Sequence, residues 1–273
     1  MYESYWQLQQ KPFENSADPR FYYPGESHQA ALLKLRYAVE NRLGGALLAG
    51  VSGSGKTLVV NMLRDVLGEQ CAPFLHLVFP QMSTPELLAY LAGELSGADG
   101  GPQQHDTAQS IRRIGRFLRE NTRSRRHAVV VVDEAHLIES AETLEALRLL
   151  LNFEAGGRPN LTLLLAGQTG LLPTLDRMPQ LEERLGVKCL TRPFSEQETA
   201  AYVSHRLKVA GAVREIFEPD ALPVLHALTN GVPRRINRLC DLSLLIGFAE
   251  ERSTITAAHF ESVSQELVAV VPE

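Results

Sequence analysis

Four short apolar runs lie along the first two thirds of the chain, and segments with helical spacing separate them. Residues 45–49 and 128–132 are apolar throughout, residues 161–166 are apolar except for Thr162, and residues 73–79 also form a predicted strand. Strands that are apolar on both faces are typical of a parallel sheet covered on both sides by helices. The alternation of such strands with helices therefore predicts an α/β fold.

Apolar residues spaced three and four positions apart predict the helices of this fold. Before residue 192 they cover residues 27–41, 58–67, 84–95 and 107–120. Beyond Arg192-Pro193-Phe194 the pattern is helical only, over residues 196–209, 219–228, 233–249 and 256–267. We therefore expect an α/β domain over residues 1–194 and a small all-helical domain over residues 195–273. The stretch from 96 to 102 is rich in glycine and is expected to be a flexible loop.

Composition narrows the class of protein. The formal net charge of the 273 residues is −5, so a contact with nucleic acid would need a local basic patch. Cys71, Cys189 and Cys240 are far apart and show no C-x-x-C spacing, which argues against a disulfide framework or a zinc site. Because no apolar stretch approaches the ~18 residues of a membrane span, and the N-terminus MYESYWQLQQKPF lacks the features of a signal peptide, we expect a cytoplasmic protein with no membrane insertion.

The segment after the first predicted strand matches the motif G-x-x-x-x-G-K-[ST], with the sequence Gly50-Val51-Ser52-Gly53-Ser54-Gly55-Lys56-Thr57. A strand before it and a helix after it are the context of a phosphate-binding P-loop. Its glycines let backbone N–H groups turn toward phosphate oxygens, and the helix adds the positive end of its dipole. We expect residues 50–57 and Leu58 to bind ATP, Lys56 to reach the β- and γ-phosphates, and the Thr57 hydroxyl to bind Mg²⁺.

A second pair of candidate residues follows the apolar run at 128–132. Asp133 and Glu134 come directly after this predicted strand, at the edge where parallel sheets bind ligands. Asp133 is expected to hold Mg²⁺ through water, and Glu134 to orient and deprotonate the attacking water as the catalytic base. His136 completes a D-E-A-H string, and we interpret it as a structural or supporting histidine without a catalytic role.

These motifs and several others give the chain a resemblance to the AAA+ ATPases. Within them it resembles the general secretion ATPases of the ExeA type and the transposition helper ATPases. The residues that carry the resemblance beyond the two motifs are Lys11-Pro-Phe13, Asp18-Pro-Arg-Phe-Tyr22, Leu147-Arg-Leu-Leu-Leu-Asn-Phe-Glu154, Leu165-Ala-Gly-Gln168, Glu183-Arg184-Leu185, His205-Arg-Leu207 and Gly231-Val-Pro-Arg234-Arg-Ile-Asn237. The resemblance implies a P-loop NTPase sheet of AAA+ type, a helical C-terminal lid and an ATPase activity.

The resemblance also implies roles for three further residues. Gln168 resembles the sensor that contacts the γ-phosphate or the attacking water, and Arg234 resembles the lid arginine that reaches bound phosphate. Arg184 resembles the arginine finger, which acts on the nucleotide of a neighbouring subunit, although Arg177 lies close by and is the alternative. The family implies a homo-oligomer, either a ring or a filament. The opening segment 12–23 is expected either to pack against adenine or to be plain core.

A run of arginines raises the question of what the ATP is used for. Seven lie between residues 112 and 126: Arg112, Arg113, Arg116, Arg119, Arg123, Arg125 and Arg126. They are interpreted either as a surface for DNA phosphates, an acidic partner or the next subunit, or as an ordinary solvated helix face. Two roles follow from the sequence: an oligomeric motor or switch for a secretion, envelope or polysaccharide-export assembly, and an ATP-dependent DNA-binding regulator of transposition.

Overall fold

A computed structural model describes residues 1–97 and 106–269. A five-stranded parallel sheet has the strand order β2-β3-β6-β1-β7. Its strands are β1 (Gly45–Gly50), β2 (Phe74–Leu77), β3 (Ala128–Val132), β6 (Leu161–Gly167) and β7 (Leu185–Thr191). A separate antiparallel hairpin pairs β4 (Glu154–Ala155) with β5 (Arg158–Pro159). The predicted parallel α/β fold is confirmed.

Helices fill the connections of the sheet and the C-terminal part of the chain. They are α1 (Glu26–Glu40), α2 (Lys56–Val66), α3 (Thr84–Ser96), α4 (Thr107–Arg123), α5 (Ala141–Leu150), α6 (Leu172–Asp176), α7 (Pro179–Glu182), α8 (Glu196–Val209), α9 (Ala221–Thr229), α10 (Pro233–Ala249) and α11 (Ala257–Ala269). The predicted C-terminal helices are thus present, and α8 and α10 have the predicted bounds.

The contacts divide the chain into two compact units. The first contains Met1–Glu26, Ser52–Leu58 and Arg192–Glu273, and the second contains Ser27–Val51 and Val59–Thr191. This grouping does not test the predicted domain bounds, 1–194 and 195–273, which stay a prediction. Among the described residues, no helix has both the length and the hydropathy that a membrane crossing requires.

The second unit is built around the sheet. All residues of β1, β3 and β6 are buried, which explains why these strands are apolar at every position but one. The exception is Thr162 of β6, whose hydroxyl lies 2.8 Å from Nε2 of His127. The buried faces of α3, α4 and α5 belong to the same core as the strands. Since the central strands β3, β6 and β1 are held on both sides by neighbours, the residues that follow them start from fixed positions.

The first unit combines α8–α11 with the opening segment of the chain. Trp6 is fully buried, and its indole N–H donates a hydrogen bond of 2.9 Å to the Leu244 carbonyl oxygen. The buried Arg206 donates to the carbonyl oxygens of Pro12 and Glu14, and its guanidinium lies 4.6 Å from the centre of the Phe21 ring. The aromatic residues of segment 12–23 therefore contribute to the core of the helical unit.

Several elements of the fold differ from the sequence interpretation. The edge strand β7, the helices α5, α6 and α7, and the β4–β5 hairpin were not predicted. Strand β7 alternates in burial, with Leu185, Cys189 and Thr191 buried and its other residues more exposed, so it lacks the continuous apolar run that marked the central strands. The predicted loop at 96–102 lies mostly outside the described residues.

Candidate functional site

The loop between β1 and α2 adopts a conformation that requires glycine. Gly53 and Gly55 have φ angles of +75° and +91°, in the region that side-chain-bearing residues rarely adopt. A Cβ atom at position 53 would lie 2.7 Å from the Cβ of Arg234, closer than two carbon atoms can approach. The loop therefore has no room for a side chain at Gly53, and its backbone lies directly against the residue predicted to reach phosphate.

The first turn of α2 supplies the candidate phosphate contacts. Lys56 is the first residue of this helix and is only 6 % exposed, while Ser54 before it is fully buried. Gly55, Thr57 and Leu58 are half-buried. A helix N-terminus with a lysine at its first position combines N–H groups directed along the helix axis, the positive end of the dipole and a full positive charge. This arrangement favours an anion.

Arg234 is joined to the loop through its backbone. Its N–H donates a hydrogen bond of 3.2 Å to the Gly53 carbonyl oxygen, while its side chain is exposed. Pro233 begins α10, and its fixed φ angle suits the first position of a helix. The predicted lid arginine thus lies in the first turn of α10, and this turn contacts the glycine-rich loop. Its long side chain remains available for a ligand.

Asp133 ends β3 with a carboxylate that is held in place. It is 2 % exposed, and its Oδ1 accepts a hydrogen bond of 2.9 Å from the Glu134 N–H. Its Oδ2 lies 3.2 Å from Nε2 of His76, which sits on the neighbouring strand β2. An ionised carboxylate accepts only, so Nε2 of His76 donates. The contact fixes the orientation of Asp133.

Glu134 has an unusual backbone and an unusual side-chain environment. Its φ angle of +49° lies in the left-handed region, a conformation that is strained for a residue with a side chain and is concentrated at functional sites. Its Oε2 atom is buried and accepts no hydrogen bond from the described residues, although Nδ1 of His136 lies 3.3 Å away. A buried carboxylate oxygen without a donor is unfavourable, so this atom is suited to a group brought by a ligand or by water.

His136 lies between the predicted base and the predicted sensor. The Gln168 backbone N–H donates to Nδ1 of His136 over 3.4 Å, which assigns the proton of the neutral ring to Nε2. Nδ1 then has no proton to give to Glu134, and this explains why a contact of 3.3 Å forms no hydrogen bond. The chain thus brings Glu134, His136 and Gln168 together at the ends of β3 and β6.

Arg184 and Arg177 both lie in the segment between β6 and β7. Arg184 directly precedes β7, and its Nη2 donates a hydrogen bond of 3.2 Å to Oδ1 of Asn152. Its Nη1 is 3.6 Å from an Oε1 atom of Glu154, and the side chain is 43 % exposed. Arg177 follows α6 and is exposed. Arg184 is thus oriented by contacts with Asn152 and Glu154, and both arginines are exposed to solvent.

One residue of this region was missed by the sequence interpretation. His76 contacts Asp133 from β2, but its place beside β3 depends on the strand order, which spacing alone does not give. The available signal was a single polar residue in the apolar stretch Phe74-Leu75-His76-Leu77. A polar side chain inside an otherwise apolar strand marks a buried polar contact.

The residues present fit a nucleoside triphosphate and a hard divalent cation. The glycine-rich loop leaves no side chain at Gly53, Lys56 and the start of α2 match phosphate, and Glu134 has a buried oxygen without a donor. Within the described residues, no cluster of three or more histidine, cysteine or acidic side chains forms a cage for a metal. Mg²⁺ takes one or two protein oxygens and otherwise water and phosphate, and the predicted residues Thr57 and Asp133 each carry an oxygen atom of the kind that it prefers.

The comparison with protein families shows which domain the chain contains. A family profile described as "AAA domain" matches residues 41–175, from the residues before β1 to α6. The chain contains an AAA domain. This match includes the glycine-rich loop, Asp133, Glu134 and Gln168.

Relatives extend the similarity beyond the AAA domain. The chain is 33 % identical over 281 residues to "General secretion pathway protein A" of Aeromonas hydrophila, and the match covers 100 % of this chain and 50 % of that protein. The chain therefore spans about half the length of this curated relative. The predicted likeness to the general secretion ATPases is confirmed.

Solved structures show the same fold. Cdc6p from Pyrobaculum aerophilum matches with a TM-score of 0.73 and 16 % identity, over 96 % of this chain and 74 % of that one. The Aeropyrum pernix ORC1 protein in complex with DNA matches with a TM-score of 0.69 and 16 % identity, over 96 % and 69 % of the two chains. The Thermotoga maritima RuvB Holliday junction branch migration motor matches with 0.60 and 19 %, over 89 % and 69 %. The AAA domain thus has the AAA+ type of P-loop NTPase fold.

Proposed function

We propose that this AAA protein binds ATP with Mg²⁺ and hydrolyses it. Residues 50–58 hold the phosphates through backbone N–H groups, and Lys56 carries the charge that faces the β- and γ-phosphates. The Thr57 hydroxyl would hold the metal directly and Asp133 would hold it through water, and the metal when bound would neutralise the charge that develops on the phosphate oxygens. Arg234 adds a second positive charge from the start of α10.

The observation that carries the hydrolytic part is the environment of Glu134. Its Oε2 is buried and lacks a hydrogen-bond donor, and His136 beside it presents an unprotonated Nδ1. A general base needs an unoccupied lone pair within reach of the proton it takes. Glu134 meets this condition and accepts the proton of the attacking water, while the Gln168 amide orients that water because it can donate and accept at once.

Replacing the base tests this assignment. We expect Glu134→Gln to bind ATP as the wild type does but to hydrolyse it at least about 100-fold more slowly, because the amide is the same size and cannot take a proton. Glu139→Gln is the matched control, since Glu139 is exposed in the same segment. Phosphate release measures turnover, and equilibrium titration measures binding. Equal turnover of Glu134→Gln and wild type would show that Glu134 is not the catalytic base.

For the process that the ATPase serves, we infer an oligomeric motor or switch in a secretion, envelope or polysaccharide-export assembly. The support is the similarity to a protein of Aeromonas hydrophila whose name, "General secretion pathway protein A", assigns it to a secretion pathway. In the oligomer, Arg184 of one subunit acts on the nucleotide of the next. The alternative role, an ATP-dependent DNA-binding regulator, requires DNA binding that depends on ATP, whereas DNA binding that is the same with and without ATP is compatible with both roles.

We infer a reducing, cytoplasmic setting from the cysteines. Cys71, Cys189 and Cys240 are all buried and unpaired. Burial raises the pKa of the Cys189 thiol to about 11, so it stays protonated and unreactive at neutral pH. Thiols used as small apolar core residues are typical of proteins in reducing compartments.

A further inference from the structure

The arginines of α4 form a surface that the proposed ATPase chemistry does not use. Arg112, Arg116, Arg119 and Arg123 lie four, three and four positions apart, which places them within a narrow sector of the helix. All four are exposed. These four residues are called the arginine stripe below. At about 1.5 Å per residue, the stripe is about 16 Å long.

The opposite face of α4 anchors the helix firmly. Ile114 and Leu118 are fully buried, and the buried Asn121 donates a hydrogen bond of 2.8 Å to the Ala72 carbonyl oxygen. A Cβ at Gly115 would lie 2.6 Å from the Phe153 ring, so that ring packs directly on the helix backbone. The helix therefore cannot rotate about its axis to bury the stripe. The arginines face solvent because the other side of the helix is packed in the core.

Among residues 1–97 and 106–269, no side chain forms the ion pair with the stripe that usually balances a solvated helix face. In the described parts of the chain, no acidic side chain lies within salt-bridge distance of its four guanidinium groups, whereas Arg36, Arg64 and Arg252 each have a carboxylate partner. Residues 106–126 contain seven arginines against Asp106 and Glu120, a local net charge of +5. The whole chain has a net charge of −5, so the residues outside 106–126 have a net charge of −10. The stripe therefore lies in a strongly positive segment of an otherwise acidic chain.

We propose that the arginine stripe binds the phosphate backbone of a nucleic acid. Between Arg112 and Arg123 the stripe face carries no large apolar side chain, whereas protein interfaces depend on a buried apolar or aromatic anchor. Phosphate binding needs only regularly placed positive charges, and the planar guanidinium fork matches phosphate oxygens. At about 3.4 Å of helix axis per phosphate of one strand, a stripe about 16 Å long spans about five phosphates. Such contacts carry no sequence information.

Salt-dependent DNA binding tests the proposal. The probe is a fluorescently labelled duplex of about 20 base pairs and mixed sequence, titrated at several salt concentrations. The stripe variant carries Arg112→Gln, Arg116→Gln, Arg119→Gln and Arg123→Gln, since glutamine keeps a good helix propensity. The matched control carries Arg20→Gln, Arg36→Gln, Arg64→Gln and Arg252→Gln, which removes the same charge from exposed positions elsewhere.

We expect the wild type and the control to bind the duplex with affinity that falls steeply as salt rises. The stripe variant should bind roughly 100-fold more weakly at 0.1 M salt, and its plot of log affinity against log salt should be less steep by about 3 to 4. The double variant Arg112→Gln/Arg119→Gln should lose about half of that slope. This graded result guards against misfolding of the fourfold variant, which far-UV circular dichroism also checks.

Three results would overturn the proposal. They are no DNA binding by the wild type, the same loss in the stripe and control variants, and binding of poly-glutamate in place of DNA, which would assign the stripe to an acidic protein. None of the substituted residues belongs to the proposed ATP site. A failed DNA test therefore leaves the ATPase proposal standing, and a failed ATPase test leaves the stripe proposal standing.

Discussion

At position 53 the backbone has a φ angle of +75° and lies so close to Arg234 that a Cβ would approach its Cβ to 2.7 Å. We expect Gly53→Ala to weaken ATP binding at least about tenfold, because overpacking of this kind costs about 1–3 kcal/mol and must move the loop. Gly157→Ala is a matched control, since Gly157 has nearly the same φ angle of +74° but open space around it.

Equilibrium titration with ATP and Mg²⁺ measures this effect in both variants. The control should bind within about twofold of the wild type, since it carries a left-handed alanine in the β4–β5 hairpin and no clash. If both variants lose affinity alike, the left-handed conformation rather than the approach to Arg234 would be the cause.

The residues at the ends of β3 and β6 show how far single positions can be predicted. The spacing of Asp133 and Glu134 after an apolar strand was sufficient to propose both as site residues. The positive φ angle of Glu134 and the tautomer of His136 could not be predicted, because they depend on the turn after β3 and on the Gln168 N–H. Such contacts between residues far apart in sequence leave no periodic signal.

Among the elements, the strands that were predicted are those buried along their whole length. Strands β1, β3 and β6 lie inside the sheet and are apolar at every position except Thr162, so a nearly continuous apolar run identified them. Strand β7 lies at the edge, and Gly186 and Lys188 interrupt its apolar pattern. Helix α5 was not predicted, although Ser140 caps its start through a hydrogen bond to the Thr143 N–H.

The connection that leads into β7 carries the proposed arginine finger. We expect Arg184→Ala to bind ATP normally but to lose turnover at least about 100-fold, since arginine fingers act on transition-state charge rather than on binding. Mixing this variant with Glu134→Gln should restore part of the activity, because one supplies an intact base and the other supplies the arginine. Phosphate release from defined mixtures measures the recovery.

Arg177→Ala is the control for this element, because Arg177 is exposed in the same connection. Turnover close to that of the wild type is expected for it. Loss of turnover in Arg177→Ala but not in Arg184→Ala would assign the role of arginine finger to Arg177. A mixture that stays inactive would count against action between subunits.

At the scale of the whole molecule, the least predictable feature is the grouping of distant segments. Met1–Glu26 belongs to the same compact unit as the C-terminal helices, held there by contacts such as Trp6 with Leu244 and Arg206 with Pro12. Periodicity reports which face of an element is buried but not which element covers it. The sequence therefore allows two interpretations of the aromatic opening segment, and the structure places Phe13 in the core of the helical unit.

The molecule as a whole is proposed to work through ATP held by residues 50–57, and calorimetric titration of ATP–Mg²⁺ tests this most directly. We predict a dissociation constant on the order of micromolar for the wild type, at least about 100-fold weaker binding for Lys56→Ala, and unchanged binding for Lys34→Ala, which removes an exposed lysine from α1. Thermal unfolding without nucleotide verifies that both variants are folded. No binding by the wild type, or equal binding by folded Lys56→Ala, would contradict the account.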